Sequence, residues 1–275
     1  MKLRCGAHVL DLSVPRVMGI LNVTPDSFAD GGRHLDPSRA LDHARQMISD
    51  GAAIVDIGGE STRPGAQPVT EADELERVIP LVAALSGEGA LVSIDTMKPA
   101  VMRAAIAAGA AMVNDVRALQ ERGALDAVAA SNAAVCLMHM RGEPRTMQAD
   151  PSYEDVVREV RDFVVERALT CEAAGIARDR IAIDPGFGFG KTSTHNLALL
   201  RSLSVLTQTG YPVVAGLSRK ATIGRITGRD VGDRMAGSVA AALAAVARGA
   251  AIVRVHDVRD TVDALNVWYA VDDAE

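Results

Sequence analysis

An α/β fold of the (β/α)8 barrel class, a TIM barrel, is predicted by three features of this 275-residue chain. Eight short β-branched runs recur along it, each closed by polar or glycine-rich residues and followed by an Ala- and Leu-rich stretch with helical marks. The apolar residues within each run are nearly continuous rather than alternating, as strands covered on both faces require. The whole alternation fills about 250 residues, the usual length of such a barrel.

The elements follow in order. Residues 1–14 precede the first barrel strand and are expected to form a short hairpin turning near Gly6. The eight runs are VMGILNV (17–23), AIVDIGG (53–59), LVSIDT (91–96), MVNDV (112–116), VCLMHM (135–140), IAIDPG (181–186), PVVAGLS (212–218) and IVRVHDV (252–258). Between them, Pro37 opens a helix that stops before Gly51, and Thr70 begins another with a stripe of Glu74, Leu75, Val78, Ile79 and Val82. A third starts at Pro99 and ends before Gly109, and a short alanine-rich one spans 124–130. The longest runs from near Ser152 to Gly175 with Val156, Val160, Phe163 and Val164 on one face, and stretches at 196–206, 234–247 and 261–269 complete the set. A doubly wound open sheet is the rival, but it would carry a G-x-G-x-x-G turn after its first strand, and none is present. Without a linker or low-complexity segment, one domain over 1–275 is the simplest division.

Composition narrows the function. Hydrophobic residues make up 48% but aromatics only 3%, which disfavours a stacking platform for bases. A net charge of −6 with both signs interspersed gives no broad basic footprint, so neither nucleic acid nor an anionic membrane surface is expected as partner. Cys5, Cys136 and Cys171 stand far apart and suggest neither disulfides nor a zinc site. No leader pattern or long apolar span is present, so a soluble cytoplasmic protein is expected.

In a barrel of this class reactive groups project from the C-terminal strand ends. Polar residues load nearly every such end: Asn22, the loops TPDSFADGG and GGESTRPGA, Asp95, Asn114 with Asp115, His139, Asp184, Ser218-Arg219-Lys220, and Arg254 with His256. A single one of these would be as well explained by a satisfied surface polar group; eight ends together are not. Arg63, Arg254, His256 and Asn22 suit an anion such as phosphate, with Asn22 also an oxygen ligand for Mg²⁺. Asp95, Asn114 and Asp184 suit a flat heterocycle presenting several N–H donors, and Lys220 can donate to the same ring. Thr62, Pro64, Ser218, Phe28 and Phe189 suit a second, aromatic partner. Met138 is expected on the pocket floor, and His139 reads as a packed imidazole rather than a metal ligand.

One stretch imitates a different device. In DPGFGFGKT, Gly190, Lys191 and Thr192 match the end of a phosphate-binding P-loop, but Pro185 stands five residues before Gly190 and has no N–H to donate. The run is better read as a barrel strand with Asp184 at its end and glycines allowing close backbone approach, which leaves Lys191 as an exposed loop residue.

Taken together, MGILNVTPDSF (18–28), GGESTRPGA (58–66), SIDT (93–96), NDV (114–116), LMHM (137–140), DPGFGFGK (184–191), SRK (218–220) and RVHDV (254–258) resemble the bacterial dihydropteroate synthase family over essentially the whole chain. The resemblance implies condensation of 6-hydroxymethyl-7,8-dihydropterin pyrophosphate with p-aminobenzoate to 7,8-dihydropteroate in folate synthesis, assisted by Mg²⁺, in a homodimeric enzyme of a family in which sulfonamides mimic the p-aminobenzoate. By motif, it implies that Asp95, Asn114, Met138, Asp184, Phe189, Gly216 and Lys220 hold the pterin. Asn22, Arg63, Arg254 and His256 then form the pyrophosphate region, with Asn22 the metal ligand. Phe28, Thr62, Arg63, Pro64, Phe189, Ser218 and Lys220 would enclose p-aminobenzoate once loops 24–32 and 60–68 close. Asp95, Lys220, Arg254, His256 and Asp30 are the implied catalytic residues. Ala29 is a departure, since serine is common there in the family. A pterin-dependent methyltransferase or a non-catalytic pterin-binding paralogue are the alternatives, and the intact loop motifs argue against both.

Overall fold

The computed structural model describes residues 1–24, 37–61, 66–143 and 146–272. Strands β1 (Lys2–Cys5) and β2 (His8–Asp11) pair antiparallel, and Gly6 between them takes φ +58°, a left-handed turn that glycine adopts without steric cost. Alternation in β1 turns Leu3 and Cys5 inward, and with Leu10 and Leu12 they pack on Met18, Ile54, Met112, Cys136 and Ile252. The hairpin thereby seals the floor of the barrel.

The eight barrel strands fall where the apolar runs lie: β3 (Arg16–Asn22), β4 (Ile54–Gly58), β5 (Val92–Asp95), β6 (Met112–Asp115), β7 (Ala134–Met138), β8 (Ile181–Asp184), β9 (Val214–Ala215) and β10 (Ile252–Val255). They pair parallel in the order β8-β7-β6-β5-β4-β3-β10-β9. A single bridge, Ile183 to Val213, closes the ring between β8 and β9. An outer layer of Val55, Ile57, Val113, Val135, Leu137 and Val253 packs beneath the helices, which explains why the runs are apolar throughout rather than alternating.

The helices are α1 (Pro37–Ser49), α2 (Glu71–Gly87), α3 (Pro99–Ala107), α4 (Ala124–Ala129), α5 (Val156–Ala173), α6 (Ser193–Arg201), α7 (Ser204–Thr207), α8 (Ala221–Thr227), α9 (Met235–Val246) and α10 (Val258–Asp272). Thr70 caps α2 by accepting from the Asp73 N–H at 3.1 Å. The expected helix over 196–206 is two pieces, α6 and α7, and it begins earlier because Thr192 and His195 form a reciprocal capping box. Helix α8 was not expected: Thr222, Ile223, Ile226 and Thr227 are β-branched, Gly224 interrupts them, and no side chain caps the start.

Candidate active site

Because side chains alternate along a strand, one in two points into the barrel, and the upper layer of these is polar. Asp56 in the middle of β4, Asn114 on β6 and Arg254 on β10 meet there. Arg254 Nε donates to Asp56 Oδ2 at 2.6 Å and its terminal nitrogen to Asp95 Oδ2 at 2.5 Å. Asn114 Nδ2 donates to the same Asp56 oxygen at 3.0 Å. One guanidinium therefore bridges two carboxylates of neighbouring strands.

A second group adjoins the first. Asp184 Oδ1 accepts from the Gly186 N–H at 2.6 Å, and Lys220 Nζ donates to the Phe187 carbonyl while standing 4.8 Å over the Phe189 ring. Gly216 lies where these residues converge: a methyl group placed on it would come within 3.8 Å of Lys220 Nζ and 3.9 Å of both Asp184 Oδ2 and Arg254 Cβ. Those are ordinary contact distances, so the Gly216 backbone marks the point where the three side chains meet. Met138 is buried and lies opposite Asp184 in register. At the next strand ends Ser218 Oγ lies 2.9 Å from His256 Nδ1. Asn22 ends β3, half-buried, opposite Gly58. Asp95, Asn114, Met138, Asp184, Phe189, Gly216, Ser218, Lys220, Arg254 and His256 are thus gathered near one rim, whereas Phe28, Asp30, Thr62, Arg63 and Pro64 lie outside the described residues.

The electrostatics follow from burial. Desolvation lifts Asp95 to about 7, Arg254 pulling the other way and the Asp56 carboxylate adding to the rise. Asp184 is raised for the same first reason, and desolvation brings Lys220 down to about 8. A carboxyl raised in the folded state binds more protons there than when unfolded. The contribution of Asp95 to stability is therefore full below its unfolded value of 3.8 and is lost as pH rises through about 7.

Lys191 corrects the expectation of an exposed residue: it is only 2% exposed. Its ammonium donates to the carbonyls of Gly186 and Phe189 at 3.0 Å each and of His139 at 3.3 Å, and lies 2.8 Å from His139 Nδ1. Burial holds its pKa well below the ordinary lysine value. The glycines serve the same closeness. Gly186 (φ +66°) and Gly190 (φ +63°) press so near the chain at 139–141 that a methyl group would stand 1.9 Å from the His139 oxygen and 2.3 Å from the Arg141 oxygen. A lysine that a phosphate loop would aim at its ligand here ties two loops together. Replacing it as Lys191→Met strips buried carbonyls of a donor and should lower the unfolding free energy by about 1 to 3 kcal/mol in a urea titration. His139 is a packed imidazole as expected, edge-on to Phe163 at 4.9 Å, and burial takes its pKa down to about 3.

Sequence reasoning missed other charged groups. Asp56 passed as part of an apolar run. Lys98 joins Glu60 at 2.6 Å and the fully buried Glu74 at 2.5 Å, anchoring the base of the GGESTRPGA loop to α2. Arg219, by contrast, reads in the sequence either as a support for Lys220 or as a partner for a carboxylate; with φ +57° it forms a two-nitrogen pair with Asp257 next to His256.

Comparison with known proteins agrees with this geometry. Residues 18–256 match the family described as pterin binding enzyme. The dihydropteroate synthase of Haemophilus influenzae is 50% identical over 275 residues, covering 100% of both chains. Among solved structures, that of Xanthomonas albilineans dihydropteroate synthase with 4-aminobenzoic acid superposes with a TM-score of 0.94 at 53% identity, covering 100% of this chain and 99% of that one. A second structure from the same organism, in complex with 7,8-dihydropteroate, gives a TM-score of 0.92 at 50% identity with 100% of each chain covered.

Proposed function

As the chain belongs to the pterin-binding enzyme family, among its dihydropteroate synthases, we propose a residue-by-residue reading of how its barrel rim performs that reaction. The enzyme is a transferase that condenses 6-hydroxymethyl-7,8-dihydropterin pyrophosphate with p-aminobenzoate, giving 7,8-dihydropteroate and pyrophosphate. The pterin ring lies across Asp95, Asn114, Met138, Asp184 and Gly216, its N–H edge accepted by the carboxylates and its carbonyl met by Lys220. The diphosphate lies towards Arg254, His256, Asn22 and Arg63. p-Aminobenzoate would be enclosed by Phe28, Thr62, Pro64, Phe189 and Ser218, and Asp30 is given its catalytic part on its motif alone.

The bond between the pterin methylene carbon and the diphosphate oxygen breaks, its electron pair leaving with pyrophosphate. The cation left behind spreads into the ring, where Asp95 opposes its charge. The arylamine lone pair then forms the C–N bond, and the amine gives up one proton. The amine is already a free base near neutral pH, so no activating triad is required. Arg254 and His256 are fixed before the leaving group develops its charge, the arrangement that makes electrostatic stabilisation effective. Asn22 offers one amide oxygen at the end of β3. This suits Mg²⁺, which takes one or two protein oxygens and completes its shell with water and phosphate oxygens. When bound there it would neutralise charge on the diphosphate. Action as a homodimer in the cytoplasm and sensitivity to sulfonamides, which mimic p-aminobenzoate, belong to the same proposal. No helix among the described residues is long and apolar enough to cross a membrane.

The convergence of Asp184, Lys220 and Arg254 around Gly216 is the observation that carries this reading of the residues. A coupled assay of the purified protein for dihydropteroate tests the activity; turnover absent with both substrates and Mg²⁺ would refute it. The charge states give a further expectation. Asp95 acts as carboxylate and Lys220 as ammonium, so kcat/KM should rise through about pH 7 and fall through about pH 8. Asp95→Asn should abolish the acid limb of the profile.

A further inference from the structure

We infer that Asp56 is a positioning residue for the pterin ring, acting through Asn114: its single engaged oxygen decides which way the Asn114 amide faces. The inference rests on the proposed reading of Asn114 as a ring contact. Asp56 sits in the middle of β4 between Val55 and Ile57 and is fully buried, with no exposed surface. Its Oδ2 accepts both from Arg254 Nε and from Asn114 Nδ2, while its Oδ1, equally buried, has no hydrogen-bond partner among the described residues. Folding alone does not account for a carboxylate at this position. A buried charge with an unsatisfied oxygen is costly, and a well-packed apolar side chain of similar volume often serves the fold as well or better.

The geometry accounts for it in another way. An Asn amide is a donor on one side and an acceptor on the other, and ordinarily nothing but its neighbours decides which side faces where. Asp56, ion-paired to Arg254, presents only acceptors to Asn114. Turning the amide over would press Asn114 Oδ1 against Asp56 Oδ2, acceptor against acceptor. The amide is thereby locked with Nδ2 on the carboxylate, and Asn114 Oδ1 makes no hydrogen bond among the described residues. That oxygen is an acceptor available to a ring N–H before the ligand arrives, and no binding free energy is spent on reorienting it. The same Asp56 oxygen holds Arg254 by Nε and leaves its terminal nitrogens to reach outward, one of them already on Asp95.

The test is calorimetric binding of 6-hydroxymethylpterin, which lacks the diphosphate, to the purified enzyme and its variants. Asp56→Leu, close in shape but without an acceptor, should weaken binding by about tenfold or more. Asp56→Asn, which can still accept through its own Oδ1, should stay within about threefold of wild type. Because Asp56 acts through Asn114, Asp56→Leu should add nothing further once Asn114→Ala is present. Wild-type affinity in Asp56→Leu, or full additivity of the two losses, overturns the inference. If Asn114→Ala alone binds the pterin normally, the ring contact itself is wrong and the inference falls with it. Should Leu at 56 prevent folding, an exchange of the two side chains answers the question. Asn114→Asp alone sets two carboxylates together and should bind poorly, and adding Asp56→Asn should restore the affinity. An exchanged pair no better than Asn114→Asp overturns the proposal.

Discussion

Asp184→Asn is expected to weaken binding of the pterin ring by about tenfold to a hundredfold, although the substitution changes a single atom. The native carboxylate divides its oxygens. Oδ1 takes the Gly186 N–H at 2.6 Å, and Oδ2 stands at the opening beside Gly216, 3.9 Å from where a methyl group would sit. An asparagine keeps the first bond only by placing its oxygen toward Gly186, which turns its NH₂ toward the ring. A ring N–H then meets a donor where an acceptor was required, and both lose a partner in a buried site. Titration calorimetry with 6-hydroxymethylpterin gives the number directly. Near-native affinity would remove Asp184 from the ring contacts. Folding should be little affected, because relief of the desolvation that raises Asp184 offsets loss of the charge-assisted bond.

Arg254→Ala should have the largest effect of any single change, on stability as well as turnover. The guanidinium is the shared partner of Asp56 and Asp95, with only 18% of its side chain exposed. Deleting it leaves two buried carboxylates facing each other, and breaking a buried pair in this way costs about 3 to 5 kcal/mol of unfolding free energy. The cost also depends on pH with a definite sign. Without the cation Asp95 loses the charge that opposes its desolvation and is raised further, the folded state binds more protons than the unfolded one, and stability falls as pH rises. The gap between wild type and variant should therefore be wider at alkaline than at acid pH in chemical denaturation. In steady-state kinetics kcat/KM should drop by about a hundredfold to a thousandfold, the loss typical of removing a fixed donor from developing negative charge. Binding of the diphosphate substrate should suffer more than binding of the pterin alone, and equal losses would contradict the assignment of Arg254 to the leaving group.

Much of this was legible in the residues, for identifiable reasons. Parallel strands sandwiched between helices and barrel interior must be apolar on both faces, so runs such as AIVDIGG and IVRVHDV betray them without alternation. Chemistry gathers at strand C-termini, so Asp95, Asp184 and Arg254 could be named by position alone. Asp56 could not, because it sits inside a run rather than at its end and its partner Arg254 is 198 residues away. Lys191 was misread for a related reason. Its surroundings are carbonyls of Gly186, Phe189 and His139, backbone atoms that no side-chain pattern advertises. Helix α8 escaped because its β-branched residues and Gly224 have weak intrinsic helix preference, which tertiary packing of Ile223 overrides. Phe28 and Thr62 to Pro64, outside the described residues, were marked by motif rather than by periodicity.

The way the ring of strands closes has a consequence for how the enzyme fails. Like a cask with one poorly hooped stave, the wall is laced by longer ladders elsewhere but held between β8 and β9 by the lone bridge at Ile183 and Val213. Local opening is expected first along that line, and loss of pterin binding ahead of the far-ultraviolet circular dichroism on heating would show it. Asp184 stands on one side of the split and Lys220 on the other, so grip on the ring is surrendered while most of the helical content is still intact.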